Sequence, residues 1–244
     1  FANYIFPGAE HTRFAHAIGV MHSMHQMVQA LGVGVSEQDL FNRKVKSPEA
    51  QLHRALRIAA LLHDVGTFPF SHAIEYAYIR HGNDDRRTAQ RGAKSLPNSH
   101  EHLGSFIIKN SDFDGGITQI LEEFDLDVRL ISKIIKGDSK HVIANQLMHS
   151  DLDADRMDYL IRDAHFTGIK YGQFDRDYIL ANLVPYQATK TQVGFGVQEG
   201  AIHAVEDFLI ARFSWYSQVI RNQGSAKFDV MSTHVAEAFL KHDL

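Results

Sequence analysis

The sequence predicts an all-α bundle that carries one small β-hairpin. Three observations predict it. Apolar residues recur three and four apart, the spacing of one helix face, along nearly the whole chain. Within residues 183–198 the pattern changes to alternation with glycine and β-branched residues, as in a hairpin. The 244 residues are 44% hydrophobic and 22% charged, which suits a soluble globular chain long enough to bury a large core.

The first helix follows Phe14, Ile18, Met21, Met24 or His25, Val28 and Leu31, and Gly32 and Gly34 end it. The second follows Leu52, Leu56, Ala59 and His63. Pro48 stands near its start, where a missing N–H and a fixed φ do no harm. Gly66 and Pro69 close it. Residues 80–99 have few apolar side chains and many breakers, so a mobile loop is expected. Its five Lys/Arg against two Asp make either a solvated connection or a basic lid over an anionic substrate. Ser99 caps a helix from His100 to Asn110, with Glu101 and His102 in its first turn. Ile117, Ile120, Leu121 and Phe124 mark a short helix, and Val128, Ile131 and Ile134 another. Residues 141–163 read as helical with a break near Ser150. After the hairpin, residues 201–222 and 227–241 return to helix. Phe228, Met231, Val235 and Phe239 give the last apolar stripe. No repeat or boundary divides the chain, so residues 1–244 are expected to form one domain. The chain starts at Phe1 rather than Met, which leaves truncation at either end open.

Composition narrows the chemistry. There are no cysteines, which removes disulfides, thiolate catalysis and Cys-ligated zinc. Any metal must then sit on histidine and carboxylate, and there are 16 histidines. A net charge of -4, without interleaved aromatic and basic residues, argues against a nucleic-acid partner. No run of about 18 apolar residues predicts a membrane span, and no signal peptide is visible. A cytoplasmic location is therefore expected.

The motif that carries chemistry is LLHDVG, residues 61–66. His63 and Asp64 stand beside Leu61, Leu62 and Val65 at the end of an apolar helix. Polar groups placed there cost free energy unless something satisfies them, and a divalent metal would. Upstream, FPGAEHTRFAHAIGV (6–20) puts His16 near a helix start. Downstream, SDLDADRMDYLIRDAHFTG (150–168) holds Asp151, Asp153, Asp155, Asp158 and Asp163 within thirteen residues. Such carboxylates repel one another unless exposed or bound to cations. On a helix, Asp155, Tyr159 and Arg162 share a face, and Arg156, Tyr159 and Asp163 share an overlapping one. That face can offer a carboxylate to a metal and a guanidinium and a phenol to phosphate oxygens.

With those blocks in place, the sequence resembles the HD-domain deoxynucleoside triphosphate triphosphohydrolases. FPG…HTRFAH, LLHDVGTFPFSH, HE at 100–101 and DADRMDYLIRD occur in that family's order. The resemblance covers residues 3–78, 99–106 and 147–177 and, more weakly, 201–221. It implies an HD-domain helical bundle. It also implies one divalent ion (Mn, Fe, Ni, Zn or Mg) on His16, His63, Asp64 and Asp155. His72 matches the group that protonates the leaving oxygen, and His100 and Glu101 match a pair supporting it. Asp64 is placed with these catalytic residues as well as with the ligands. Arg13, Arg156, Tyr159 and Arg212 match phosphate contacts, and Asp163 matches the acceptor of the sugar 3'-hydroxyl. The implied reaction hydrolyses a deoxynucleoside triphosphate to deoxynucleoside and tripolyphosphate, in a homo-oligomer. The alternatives are another nucleotide substrate, or a regulatory protein that binds nucleotide with little turnover.

Two departures bear on substrate. Many members read HDxGH, and Thr67 replaces the final histidine; its hydroxyl can bond a phosphate but cannot act as a cation. A tyrosine common near the sugar is here Ile220.

Overall fold

The caps that fix the helix starts are written into the sequence. The computed structural model describes residues 2–84 and 99–241. Thr12 opens helix α1 (Arg13–Ala30) by accepting a hydrogen bond from the Ala15 N–H. Such a cap is worth about 1 kcal/mol. After the short α2 (Glu37–Phe41), Ser47 caps α3 (Pro48–Leu62), with Pro48 in its first turn. Then follow α4 (His72–Asp84), α5 (His100–Asn110), α6 (Ile117–Glu123), α7 (Val128–Lys136) and α8 (Val142–His149). Asp153 caps α9 (Ala154–Thr167), and Gly168 ends it in the left-handed region at φ 75°. A short α10 (Arg176–Ala181) leads to strands β1 (Leu183–Thr189) and β2 (Gln192–Val197). These pair antiparallel, with Leu183 opposite Val197. Helix α11 (Ile202–Trp215) runs into a π-helical turn, Tyr216–Ile220, and α12 (Gln223–Lys241) follows.

The all-α class with one hairpin is therefore what forms. The core lies where α1 packs on α3 and α9 and where α5 packs on α7. Met24, Met27, Leu56, Ile131, Ile134, Leu147, Met157 and Leu160 are fully buried there. Among the described residues, no helix is long and apolar enough to cross a membrane.

The structure departs from the sequence expectations in several places. Residues 72–84 form α4, which periodicity did not signal. On its apolar stripe, Ala73 and Ala77 are small and Tyr78 is polar-tipped, which leaves Ile74 as the one large aliphatic residue of that stripe after a run of breakers, so the signal is faint. Residues 80–84, expected as loop, belong to that helix. The basic-lid reading of residues 85–98 lies outside the described residues. On α1 the buried face starts at Val20, while Phe14 and Ile18 are exposed. The first turns of α1 serve His16 instead of the core. The break near Ser150 is present, but α9 continues to Thr167. The last stripe does not reach the core: Phe228, Met231, Val235 and Phe239 stay about half exposed where α12 lies on α4.

One close approach positions the LLHDVG turn. A Cβ on Gly66 would fall inside the contact distance of the Gly104 N and the His100 carbonyl on α5. A Cβ on Gly104 would meet its nearest neighbour at 3.4 Å, an ordinary contact. Gly66→Ala should therefore cost about 1–3 kcal/mol through overpacking. Gly104→Ala, in mid-helix, should be neutral or stabilise by up to about 1 kcal/mol. Thermal or urea denaturation of the two variants checks the contrast.

Candidate metal centre

His16 and His63 reach the same point from two helices. His16 lies in the second turn of α1, and His63 follows the last residue of α3. Their rings meet edge to face with centroids 5.2 Å apart. Asp155, in the first turn of α9, brings its Oδ1 to 3.0 Å from His16 Nε2 and 3.6 Å from His63 Nε2. The three ligand atoms lie within 4.8 Å of one another. Asp64 Oδ1 stands 3.7 Å from His63 Nε2. Its carboxylate is otherwise engaged: Arg13 Nη1 donates to Oδ2 at 2.6 Å and the Thr67 hydroxyl to Oδ1 at 3.0 Å. Asp64 thus borders the three-residue cluster without joining it in this arrangement.

The donor set fits a divalent ion. His63 Nδ1 bonds the Ala60 carbonyl at 2.8 Å, so Nδ1 carries the proton and the Nε2 lone pair faces the cluster. His16 Nδ1 is held at 2.8 Å by Asp158 Oδ2. Both rings are therefore oriented by a partner on the nitrogen away from the cluster, as metal-ligating histidines usually are. Asp158 is in turn gripped by Arg162, whose Nε and Nη2 donate to its two oxygens at 2.8 Å each.

Electrostatics follow from this geometry. Burial opposes charge on His16, but the hydrogen bonds to Asp155 and Asp158 outweigh it and raise its pKa to about 9. Asp64 is also penalised by burial, yet His63, Arg13 and Thr67 hold its pKa below the usual value. Asp158 is likewise lowered against its burial, by His16 and Arg162. An ion entering the cluster must displace the His16 proton.

A second cluster adjoins the first in sequence. Glu75, one turn along α4, takes hydrogen bonds at both oxygens: His72 Nδ1 at 2.7 Å and His100 Nδ1 at 2.9 Å. The His100 backbone N–H adds a third at 2.7 Å. Burial would raise the Glu75 pKa, but these partners hold it below the usual value. His72 is mostly exposed, and its ring lies 5.5 Å from that of His100. Glu101 approaches His100 Nε2 at 3.3 Å.

The expected phosphate contacts lie around this centre with partners of their own. Arg13 also donates to the Ser71 hydroxyl. Ser71 and Phe70 hold φ 55° and 57°, a left-handed turn that non-glycine residues adopt only under restraint. Arg156 pairs with Asp153 and with the Ser150 carbonyl. Asp153 is buried, which pushes its pKa up to about 7 despite Arg156. Arg212 pairs with Asp151 at 2.7 Å. Tyr159 packs on Trp215 with centroids 4.5 Å apart, and burial raises its phenol pKa. Asp163 is held by His11 Nε2 at 2.8 Å and Trp215 Nε1 at 2.9 Å, and burial raises its pKa. Ile220 is exposed in the π-helical turn.

Sequence reasoning did not single out Glu75, Asp158 or His11 as site residues, and it placed Arg162 on a phosphate-facing side of the helix, whereas Arg162 holds Asp158. Glu75 was signalled by its place three residues after His72, and Asp158 by the same spacing from Asp155. The His11–Asp163 contact spans 152 positions and left no local signal.

The HD domain family model matches residues 13–163. An uncharacterised protein of Bacillus subtilis is 33% identical over 231 residues, 94% of this chain and 45% of its own length. The deoxynucleoside triphosphate triphosphohydrolase SAMHD1 homolog of Dictyostelium discoideum is 31% identical over 177 residues, 68% of this chain and 29% of its own. The crystal structure of a phosphohydrolase from Bacteroides thetaiotaomicron is 25% identical with a TM-score of 0.68, covering 93% of this chain and 47% of that one. The chain spans less than half the length of each of these three.

In the metal-free protein the charged His16 contributes stability that is fully present below its ordinary pKa of 6.5. That contribution is lost as pH rises through about 9. The melting temperature of chelator-treated protein should fall across that window. In Asp158→Asn the fall should flatten, and differential scanning calorimetry at several pH values reads both slopes.

Proposed function

We propose, since the chain belongs to the HD domain family of metal-dependent phosphohydrolases, that it hydrolyses deoxynucleoside triphosphates to deoxynucleoside and tripolyphosphate. The observation that carries the reading is the convergence of His16 Nε2, His63 Nε2 and Asp155 Oδ1, each histidine oriented through its other nitrogen. With Asp64 these residues would hold one divalent ion. Such an ion supplies Lewis acidity at phosphorus and lowers the pKa of bound water.

The remaining roles belong to side chains of this chain. Arg13, Arg156 and Arg212 would exchange their carboxylate partners for phosphate oxygens and spread positive charge along a polyphosphate. Tyr159, a neutral phenol within electrostatic reach of Arg156, Asp155 and Arg212, would donate to the same chain. Asp163 would accept a sugar hydroxyl once released from His11 or Trp215. Thr67 would act through Asp64, which it already holds. Water attack at the α-phosphorus breaks the bond to the 5'-oxygen, and that oxygen needs a proton. His72 would supply it: Glu75 fixes the ring by Nδ1 and leaves Nε2 to pass the proton. Through its own Nδ1, His100 is oriented by the same carboxylate. A homo-oligomer remains part of this proposal.

A specific observation favours a second reading, that of a nucleotide-binding protein with little turnover. The Thr67 hydroxyl, at the position of the usual second histidine, is occupied by Asp64. One experiment separates the readings. The protein is incubated with each of the four dNTPs and Mn, and the products are resolved as tripolyphosphate, pyrophosphate and orthophosphate. The triphosphohydrolase reading requires tripolyphosphate and free deoxynucleoside. Orthophosphate as first product would contradict it, and tight binding without products would favour the second reading.

Two variants test the roles. Asp64→Ala should lose bound metal by elemental analysis and lose hydrolysis with it. Glu75→Gln should retain metal while kcat falls by about 10- to 100-fold, the usual loss when a supporting partner is removed.

A further inference from the structure

Behind His16, on the side away from the metal cluster, α1, α9 and α10 enclose a pocket of about 340 Å³. That volume is at the small end of ligand pockets, which run from about 300 to 1,000 Å³. Its polar lining is His22, Ser23, Asp158, Arg162, His165 and Arg176. Gly19 opens it: a Cβ there would collide with Asp158 and Arg162. The pocket is distinct from the metal face. Asp155 and the cluster meet His16 at Nε2, whereas Asp158 meets it at Nδ1, across the ring.

The charges in this pocket are unbalanced. Arg162 and Asp158 neutralise each other in a two-point pair, and Asp158 is further held by His16. Among the described residues, Arg176 has no such partner. Its Nη2 donates to two neutral groups, the Ser23 hydroxyl at 3.0 Å and the Gln26 side-chain oxygen at 2.5 Å. Its Nε is buried and, among the described residues, has no hydrogen-bond acceptor. Burial lowers the Arg176 pKa, and Asp158 and Asp177 only partly offset that from longer range. A half-buried guanidinium with no carboxylate in contact is costly, and an anion beside it removes the cost. The two histidines at the rim add donors, and Ile161 and Phe166 form an apolar wall that strengthens any charge pairing.

We propose that this pocket is a second anion site, which takes a phosphate-class oxyanion on Arg176 with Arg162, His22 and His165 around it. It is separate from the phosphate contacts assigned above, since none of Arg13, Arg156 or Arg212 lines it.

Equilibrium dialysis of radiolabelled inorganic phosphate against the protein as purified, at low ionic strength and near neutral pH, tests the assignment. Wild-type protein should bind phosphate at millimolar concentrations or below. Arg176→Gln should lose one bound equivalent or weaken it at least tenfold. Arg176 also ties α10 to α1, so His165→Ala, an exposed rim substitution, is the second variant and should weaken the same equivalent severalfold. Circular dichroism confirms that each variant is folded. Undiminished binding in both folded variants, or no binding by wild type up to 10-fold above about 1 mM, overturns the proposal and leaves Arg176 as a tie between helices. If Arg176→Gln does not fold, His165→Ala alone decides. Neither readout depends on turnover, so failure here leaves the triphosphohydrolase reading untouched.

Discussion

The constraint on which the site depends is that His16 is held at both ring nitrogens by carboxylates of one helix. Asp155 and Asp158 stand three apart on α9, so they project from neighbouring turns of one face. They take the Nε2 and Nδ1 sides of His16 at 3.0 and 2.8 Å. Two points of attachment fix the ring's position and its rotation. They also fix α1 against α9, because Asp158 is itself held by Arg162 one turn further on. Gly19, one turn after His16 on α1, leaves the space that the Asp158–Arg162 pair fills. The third helix joins through His63, which the Ala60 carbonyl orients from within α3. The chain therefore uses a small set of directed contacts to bring three distant segments to one point.

The surrounding charges obey a common rule. Each arginine expected at phosphate has a carboxylate of its own: Arg13 has Asp64, Arg156 has Asp153, and Arg212 has Asp151. Such pairs give each guanidinium a counter-charge before a ligand arrives, although the buried Nε of Arg156 has no hydrogen-bond acceptor among the described residues. A polyphosphate would compete with three internal carboxylates, and binding would be an exchange of partners more than a gain of new ones. The Arg13–Asp64 pair matters most, because Asp64 is also expected at the metal. An ion drawing Asp64 toward His63 would release Arg13, so metal and phosphate binding would be coupled through one carboxylate. Arg176 breaks the rule, which is why its pocket stands out.

Much of the fold was legible because its signals are local. The cap at Ser99, Pro48 near a helix start, breakers at Gly32 and Gly66, and alternation in 183–198 each act within a few residues. Helix α4 was not legible, because its stripe has one large aliphatic residue, Ile74, among alanine and tyrosine, and faces α12 across about 150 positions. The grouping of His16, His63 and Asp155 was legible from motif order, and their side chains do converge. The partners of single side chains were not. The Thr67 hydroxyl, read as a phosphate contact, bonds Asp64 three residues away, and Glu75 bridges His72, three residues before it, and His100, twenty-five residues after it. Which acid reaches which histidine is decided by helix packing, and sequence spacing carries that only when both lie on one helix.

The account turns on one ion at His16, His63, Asp64 and Asp155. A crystal structure of the protein grown with manganese, with diffraction recorded at the manganese absorption edge, tests it most directly. One strong anomalous peak is expected, touching His16 Nε2, His63 Nε2 and Asp155, with Asp64 turned from Arg13 to join them. A peak at His72, Glu75 and His100 instead, or no peak beside His16 while its ring still bridges Asp155 and Asp158, would contradict it.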